Sequence, residues 1–139
     1  MPYDPGLVQP MRDEMTVNGF TELRTREDVE SALTSHDGTV LVFVNSVCGC
    51  AAGQARPGVL LAAHHAEKKP DMLTTVFAGQ DQEATESARS YFTGFMPSSP
   101  SVALLKDGKL TFMMERSFIE TRNAPMIAEE LIKAFDLHC

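Results

Sequence analysis

The apolar positions of this 139-residue chain change period several times, and each change marks an element. Leu7, Val8, Met11 and Met15 recur at helical spacing from Pro5 to Asn18, and Asn18-Gly19 ends the pattern. Phe20 to Leu23 is a short extended piece. Thr25 opens a second helix that runs to Ser35, with Asp28 three residues after the candidate cap and His36-Asp37-Gly38 at its end. Thr39 to Ser46 reads Thr-Val-Leu-Val-Phe-Val-Asn-Ser, a continuous β-branched and aromatic run expected of a central strand covered on both faces.

From Cys50 to Lys68 the chain is Ala-rich and helical, and Pro57 must kink that helix or remove one of its hydrogen bonds. Leu73 to Ala78 is the next strand. Gln82 to Phe92 is the next helix, with Ala84, Ala88 and Phe92 at four-residue spacing. Gly94 to Pro100 is a turn region. Ser101 to Lys106 and Lys109 to Arg116 are strands joined by Asp107-Gly108, a strong hairpin signal. Ala124 to Leu137 closes the chain as a helix with Ile127, Leu131, Ala134 and Phe135 on one face.

The order is βαβαββα after an extra N-terminal helix. It predicts an α/β fold, a mixed central sheet flanked by helices, in the thioredoxin-like pattern. Residues 1–139 are read as one domain, with 1–19 forming a peripheral N-terminal helix.

Composition narrows the function classes. With 43% hydrophobic and 22% charged residues the chain has the make-up of a globular domain, large enough to fold without disulfides or structural metal. A formal charge of -7 argues against nucleic acid, whose affinity for proteins comes largely from clustered Lys and Arg. The most apolar run, Val40 to Val44, is far shorter than a membrane span, and the N-terminus lacks a basic start and an apolar signal core. A cytoplasmic protein with no membrane partner is expected.

Three cysteines, an odd number, do not make a disulfide framework, so their placement decides their role. Cys48-Gly49-Cys50 stands just after the central strand and at the first turn of a helix, where unpaired N–H groups and the helix dipole stabilise a thiolate. Cys48, the more N-terminal, is the expected attacking residue, and Cys50 the resolving thiol that breaks a mixed disulfide on Cys48. Gly49 is the residue best able to take the backbone angles of a tight intervening turn. A disulfide across one residue should be strained and easily reduced, which suits a pair that passes oxidising equivalents on. In thioredoxin-like folds a cis-proline before a strand lies against the cysteines, and Ser99-Pro100-Ser101 holds that place. There the backbone before Pro100 is free to pair with an extended substrate.

Val44-Asn45-Ser46-Val47-Cys48-Gly49-Cys50-Ala51-Ala52-Gly53, with Ala55-Arg56-Pro57, resembles the bacilliredoxin family. Phe77-Ala78-Gly79-Gln80-Asp81, Tyr91-Phe92-Thr93-Gly94, Pro97-Ser98-Ser99-Pro100-Ser101 and the ending Ala134-Phe135-Asp136 with His138-Cys139 resemble it too. The resemblance runs from about Pro10 to Cys139. It implies a thiol-disulfide oxidoreductase that takes bacillithiol off mixed disulfides on oxidised proteins, some members showing disulfide isomerase activity. Cys48 would accept the small thiol and Cys50 would be the second cysteine. No cofactor is implied.

Gly49, Arg56, Ser99 and Pro100 make up the expected substrate-binding surface. Arg56 either raises the thiolate population and holds an acidic thiol's carboxylates, or forms a structural ion pair. Asn45, Ser46, Gln80 and Asp81 sit near strand ends at the site and read as caps or turn formers. Cys139 either reaches the site, pairs between subunits or is inert. The competing reading is a metal-binding or metal-delivery protein. It would use Cys48 and Cys50 with Cys139, His138 or the His64-His65 pair as thiolate and imidazole ligands.

Overall fold

The computed structural model describes residues 2–34 and 37–139. The predicted helix end at Ser35 and His36 lies outside the described residues. Strand β2, Thr39–Asn45, is buried at every position, as its unbroken apolar run requires. Its side chains alternate between two cores: Val40, Val42 and Val44 face one, Leu41 and Phe43 the other.

Around β2 the five-stranded sheet runs β1 (Thr21–Glu22), β3 (Met72–Phe77), β2, β4 (Ser101–Lys106) and β5 (Lys109–Met114). β1 pairs with β3 and β3 with β2 in parallel, whereas β4 runs against β2 and β5 against β4. Helices α2 (Arg26–Thr34) and α4 (Gln82–Arg89) cover one face, packing Val29, Leu33, Ala84 and Ala88 on the even-numbered residues of β2. The other face carries α3 (Arg56–His65) and α6 (Ala124–His138), with Val59, Ala62, Ile127, Leu131 and Phe135 against Leu41 and Phe43. A Cβ on Gly58 of α3 would stand 2.7 Å from Ile127 Cγ2, so these two helices touch because one of them has no side chain there.

The N-terminal helix α1, Pro5–Thr16, is not peripheral. Val8, Arg12 and Met15 are buried, and Met15 belongs to the α3–α6 core. Arg12 is clamped to Glu22 of β1 and to Asp81 before α4, with its guanidinium over the Phe77 ring at 5.3 Å. A helix whose one buried cation meets two carboxylates on the sheet has a fixed place on it.

Several element ends differ from the sequence reading. The helix after Cys50 stops at His65, not Lys68, and opens with a π-helical turn, Ala51–Ala55, where Arg56 N–H reaches Ala51 O. Widening that turn sets Pro57 in the first turn of α3, where a missing N–H is tolerated. α4 stops at Arg89, three residues early, where the Ser90 hydroxyl takes the Ser87 carbonyl at 2.6 Å. β5 ends at Met114, and Arg116 instead begins the unpredicted short helix α5, Arg116–Ile119. No helix among the described residues is long and apolar enough to cross a membrane.

Candidate active site

Register brings the site together. Val44 pairs with Ser101 and Asn45 with Phe77, so the turn before β4 and the end of β3 lie at the pole where β2 delivers the chain to Cys48. The Ser99–Pro100 peptide is cis, with Pro100 buried and Ser99 half-buried. The Asp107-Gly108 turn, with φ of 52° and 80°, then sends β5 back to that same pole.

Between β2 and the cysteines the backbone is held by buried polar side chains. Asn45 Oδ1 accepts from Ser46 N–H at 2.9 Å, and Ser46 Oγ accepts from Cys48 N–H at 3.2 Å. Arg56, 3% exposed, donates from Nη1 to Asn45 Oδ1 at 3.0 Å and to Ser46 O at 2.8 Å, and from Nε to Glu14 Oε1 at 3.1 Å. Asn45 Nδ2 reaches back to Met11 O at 3.1 Å. Of the roles weighed for Arg56, this geometry gives it the structural ion pair. The guanidinium is turned inward, under the site, so its place on the substrate-binding surface is withdrawn.

Cys48 and Cys50 are half-buried free thiols. Burial pushes the Cys48 thiol up, but hydrogen bonds from the Cys50 thiol, the Ser46 hydroxyl and the amides of Ala51 and Cys50 outweigh it, leaving Cys48 below the ordinary thiol value. Burial pushes Cys50 up, and so do its hydrogen bond to Cys48 and the charge there, against a weaker opposing pull from Arg116. Of the two thiols, Cys48 is therefore the one that ionises first. Gly49 between them takes no left-handed conformation, and a Cβ there would meet nothing within 4 Å. In the dithiol form the glycine leaves the surface over the sulfurs open and is not demanded by the turn.

Arg116 is a charged residue at the site that sequence reasoning passed over. It is exposed, donates from Nη1 to Ser99 O and from Nε to Glu120 Oε2, both at 3.2 Å, and its charge acts on both sulfurs. The hairpin contained the signal. Counting back from Asp107-Gly108 sets the residues after β5 beside the turn before β4.

Other candidates lie elsewhere. Cys139 ends α6 at the opposite pole, where burial raises its thiol and its neighbours are Thr39, Asp71, Lys106 and Lys68, so it does not reach Cys48. His64 and His65 close the far end of α3, with His64 Nε2 at 3.1 Å from Asn18 Oδ1, and His138 is the last residue of α6. The ligands named for a metal therefore do not gather at the cysteines. Gln80 bonds the backbone of Tyr3, and Asp81 sits at the N-cap position of α4 with its carboxylate on Arg12.

Known proteins place this architecture. A thioredoxin of Fasciola hepatica superposes with a TM-score of 0.60 at 19% identity, covering 86% of this chain and 100% of that one, which shows the fold. A bacilliredoxin of Geobacillus kaustophilus is 54% identical over 99% of this chain and 94% of its own length. A bacilliredoxin of Salinibacter ruber is 50% identical over 100% of this chain and 82% of its own. The family model described as disulphide isomerase matches residues 3–139. The chain belongs to the bacilliredoxin family of thiol-disulfide oxidoreductases, built on the thioredoxin fold.

Proposed function

We propose that this protein removes a low-molecular-weight thiol, of the bacillithiol type, from mixed disulfides on proteins in the reducing environment of the cytoplasm. The observation that carries the reading is the placement of two free thiols, Cys48 and Cys50, in one turn after β2, at the pole where register sets the cis Ser99–Pro100 turn, with Cys48 displaced down and Cys50 up. The Cys48 thiolate attacks the small thiol's sulfur; a Cys48–small-thiol disulfide forms, the protein–small-thiol disulfide breaks, and the protein thiolate leaves and takes a proton from water. Cys50 then gives up its proton and attacks the Cys48 sulfur. The small thiolate departs, and a Cys48–Cys50 disulfide remains for an external thiol to reduce. The same chemistry run on a protein disulfide gives isomerase activity, in keeping with the description of the family model.

The test is turnover of a protein carrying a small-thiol mixed disulfide, followed by intact mass. Cys48→Ser should lose all turnover, and Cys50→Ser should accumulate a Cys48 adduct. Wild-type activity in both single mutants would overturn the assignment.

A further inference from the structure

Arg116 differs from the other cations around the site. Arg12 and Arg56 are 3% exposed and spent on internal carboxylates. Arg116 is 46% exposed, and the charge of its guanidinium reaches both Cys48 and Cys50. Its backbone N–H bonds Ser98 Oγ at 3.3 Å, and two contacts orient its guanidinium: Nη1 bonds Ser99 O and Nε bonds Glu120. Nη2 has no partner among the described residues. The chain as a whole is acidic, with 19 Asp and Glu against 12 Lys and Arg, so its net charge disfavours an anionic substrate. A guanidinium held at the Ser99 carbonyl, with a free donor edge, offsets that repulsion beside the cysteines.

We infer that Arg116 binds the anionic group, a carboxylate, of an acidic small thiol and so turns that thiol's sulfur, not the protein's, toward Cys48. The inference rests on the proposed activity and names a specificity-determining residue for it. A mixed disulfide offers two sulfurs. Attack on one puts the small thiol on Cys48 and frees the protein; attack on the other leaves the protein attached to Cys48 and frees the small thiol. Both are exchanges in which one S–S bond forms, one breaks, and the departing thiolate is protonated by water. Anchoring the small thiol's carboxylate at Arg116 selects the first. Glu120 already shares the guanidinium, so it competes with the incoming carboxylate.

The experiment uses Cys50→Ser protein, so that the Cys48 adduct persists, and two substrates: one carrier protein bearing mercaptosuccinate, a dicarboxylate thiol, or 2-mercaptoethanol, a neutral one. Acid-quenched intact mass gives the rate of small-thiol transfer to Cys48 for each. Arg116→Gln should lower the mercaptosuccinate-to-mercaptoethanol rate ratio about fivefold, the value of one exposed charge-assisted contact. Glu120→Gln should raise that ratio. A role in stabilising the thiolate alone slows both substrates equally, and an unchanged ratio in Arg116→Gln overturns the inference. Transfer of neither thiol by the Arg116-containing protein overturns the activity itself, a separate result. Circular dichroism confirms that each variant is folded.

Discussion

Arg56 Nη1 donates at once to the side chain of Asn45 and to the carbonyl of Ser46. A buried guanidinium thereby fixes the last turn of backbone before Cys48. Its other partner, Glu14, comes from α1, so the N-terminal helix and the nucleophile share one support. Removing the guanidinium leaves Asn45 Oδ1 and the Ser46 carbonyl short of a donor in a buried place. Arg56→Ala should cost about 2–3 kcal/mol of stability, toward the low end for a broken buried pair because Glu14 is partly exposed. It should also loosen Ser46 and so raise the Cys48 thiol. Urea unfolding reads the first effect and pH-dependent alkylation of Cys48 the second. Arg56→Lys should recover part of the stability but not the two-acceptor geometry.

Cys48 reactivity should follow the thiolate. Because its pKa lies below the ordinary value, the nucleophile is present above that pKa and is lost as pH falls through it. Iodoacetamide should therefore modify Cys48 before Cys50 and Cys139, both of which are displaced upward, with a midpoint below that of an unperturbed cysteine. Ser46→Ala removes one hydrogen bond to the thiolate and should move that midpoint up. A Cys48 that titrates no earlier than Cys139 would contradict the arrangement.

Two glycines near the site should respond to alanine with opposite signs. At Gly53 a Cβ meets nothing within 4 Å, and alanine lowers the backbone entropy of the unfolded chain, so Gly53→Ala should stabilise by about 0.5–1 kcal/mol. At Gly58 the same methyl would lie 2.7 Å from Ile127 Cγ2 and 3.1 Å from the Ala124 carbonyl. Gly58→Ala should force α3 and α6 apart and destabilise by about 1–3 kcal/mol despite its better helix propensity. Paired thermal melts decide both.

Much of this was legible in the sequence for definite reasons. The β2 run announced a central strand because every residue in it tolerates burial, and Asp107-Gly108 announced a hairpin because both positions need positive φ. Cys48, Cys50 and Pro100 follow from those two elements, since a strand end and a strand start at one pole meet across the sheet. The docking of α1 was not legible. Arg12 and Glu14 are charged residues on an amphipathic helix, and they look like a solvated face until the fold supplies Glu22, Asp81 and Arg56. Pro57 was visible as a disturbance, but a π-helical turn and a plain kink leave the same trace in sequence. Cys139 was ambiguous because only the direction of α6 tells which end of β2 it reaches.

The clamp on α1 gives the last prediction. Arg12 is 3% exposed and bonds Glu22 and Asp81, themselves 17% and 13% exposed, so the three charges form one desolvated group. Arg12→Ala leaves two half-buried carboxylates near each other, Glu22 with only the exposed Arg24 at 3.1 Å and Asp81 with no cation among the described residues. A loss of about 3 kcal/mol follows, because unpaired buried charges cost more than the pair was worth. The loss should be local as well as global. Without the clamp α1 is held by its apolar side chains and by its contacts with Asn45 and Arg56, so amide exchange should rise first over residues 5–16 and then at Asn45 to Cys48. Arg12→Met, which keeps the bulk over Phe77 and removes the charge, should be no better while both carboxylates remain. Combined with Glu22→Gln and Asp81→Asn it should recover most of the lost stability. Recovery by Arg12→Met alone would mean that packing on Phe77, not charge, holds the helix.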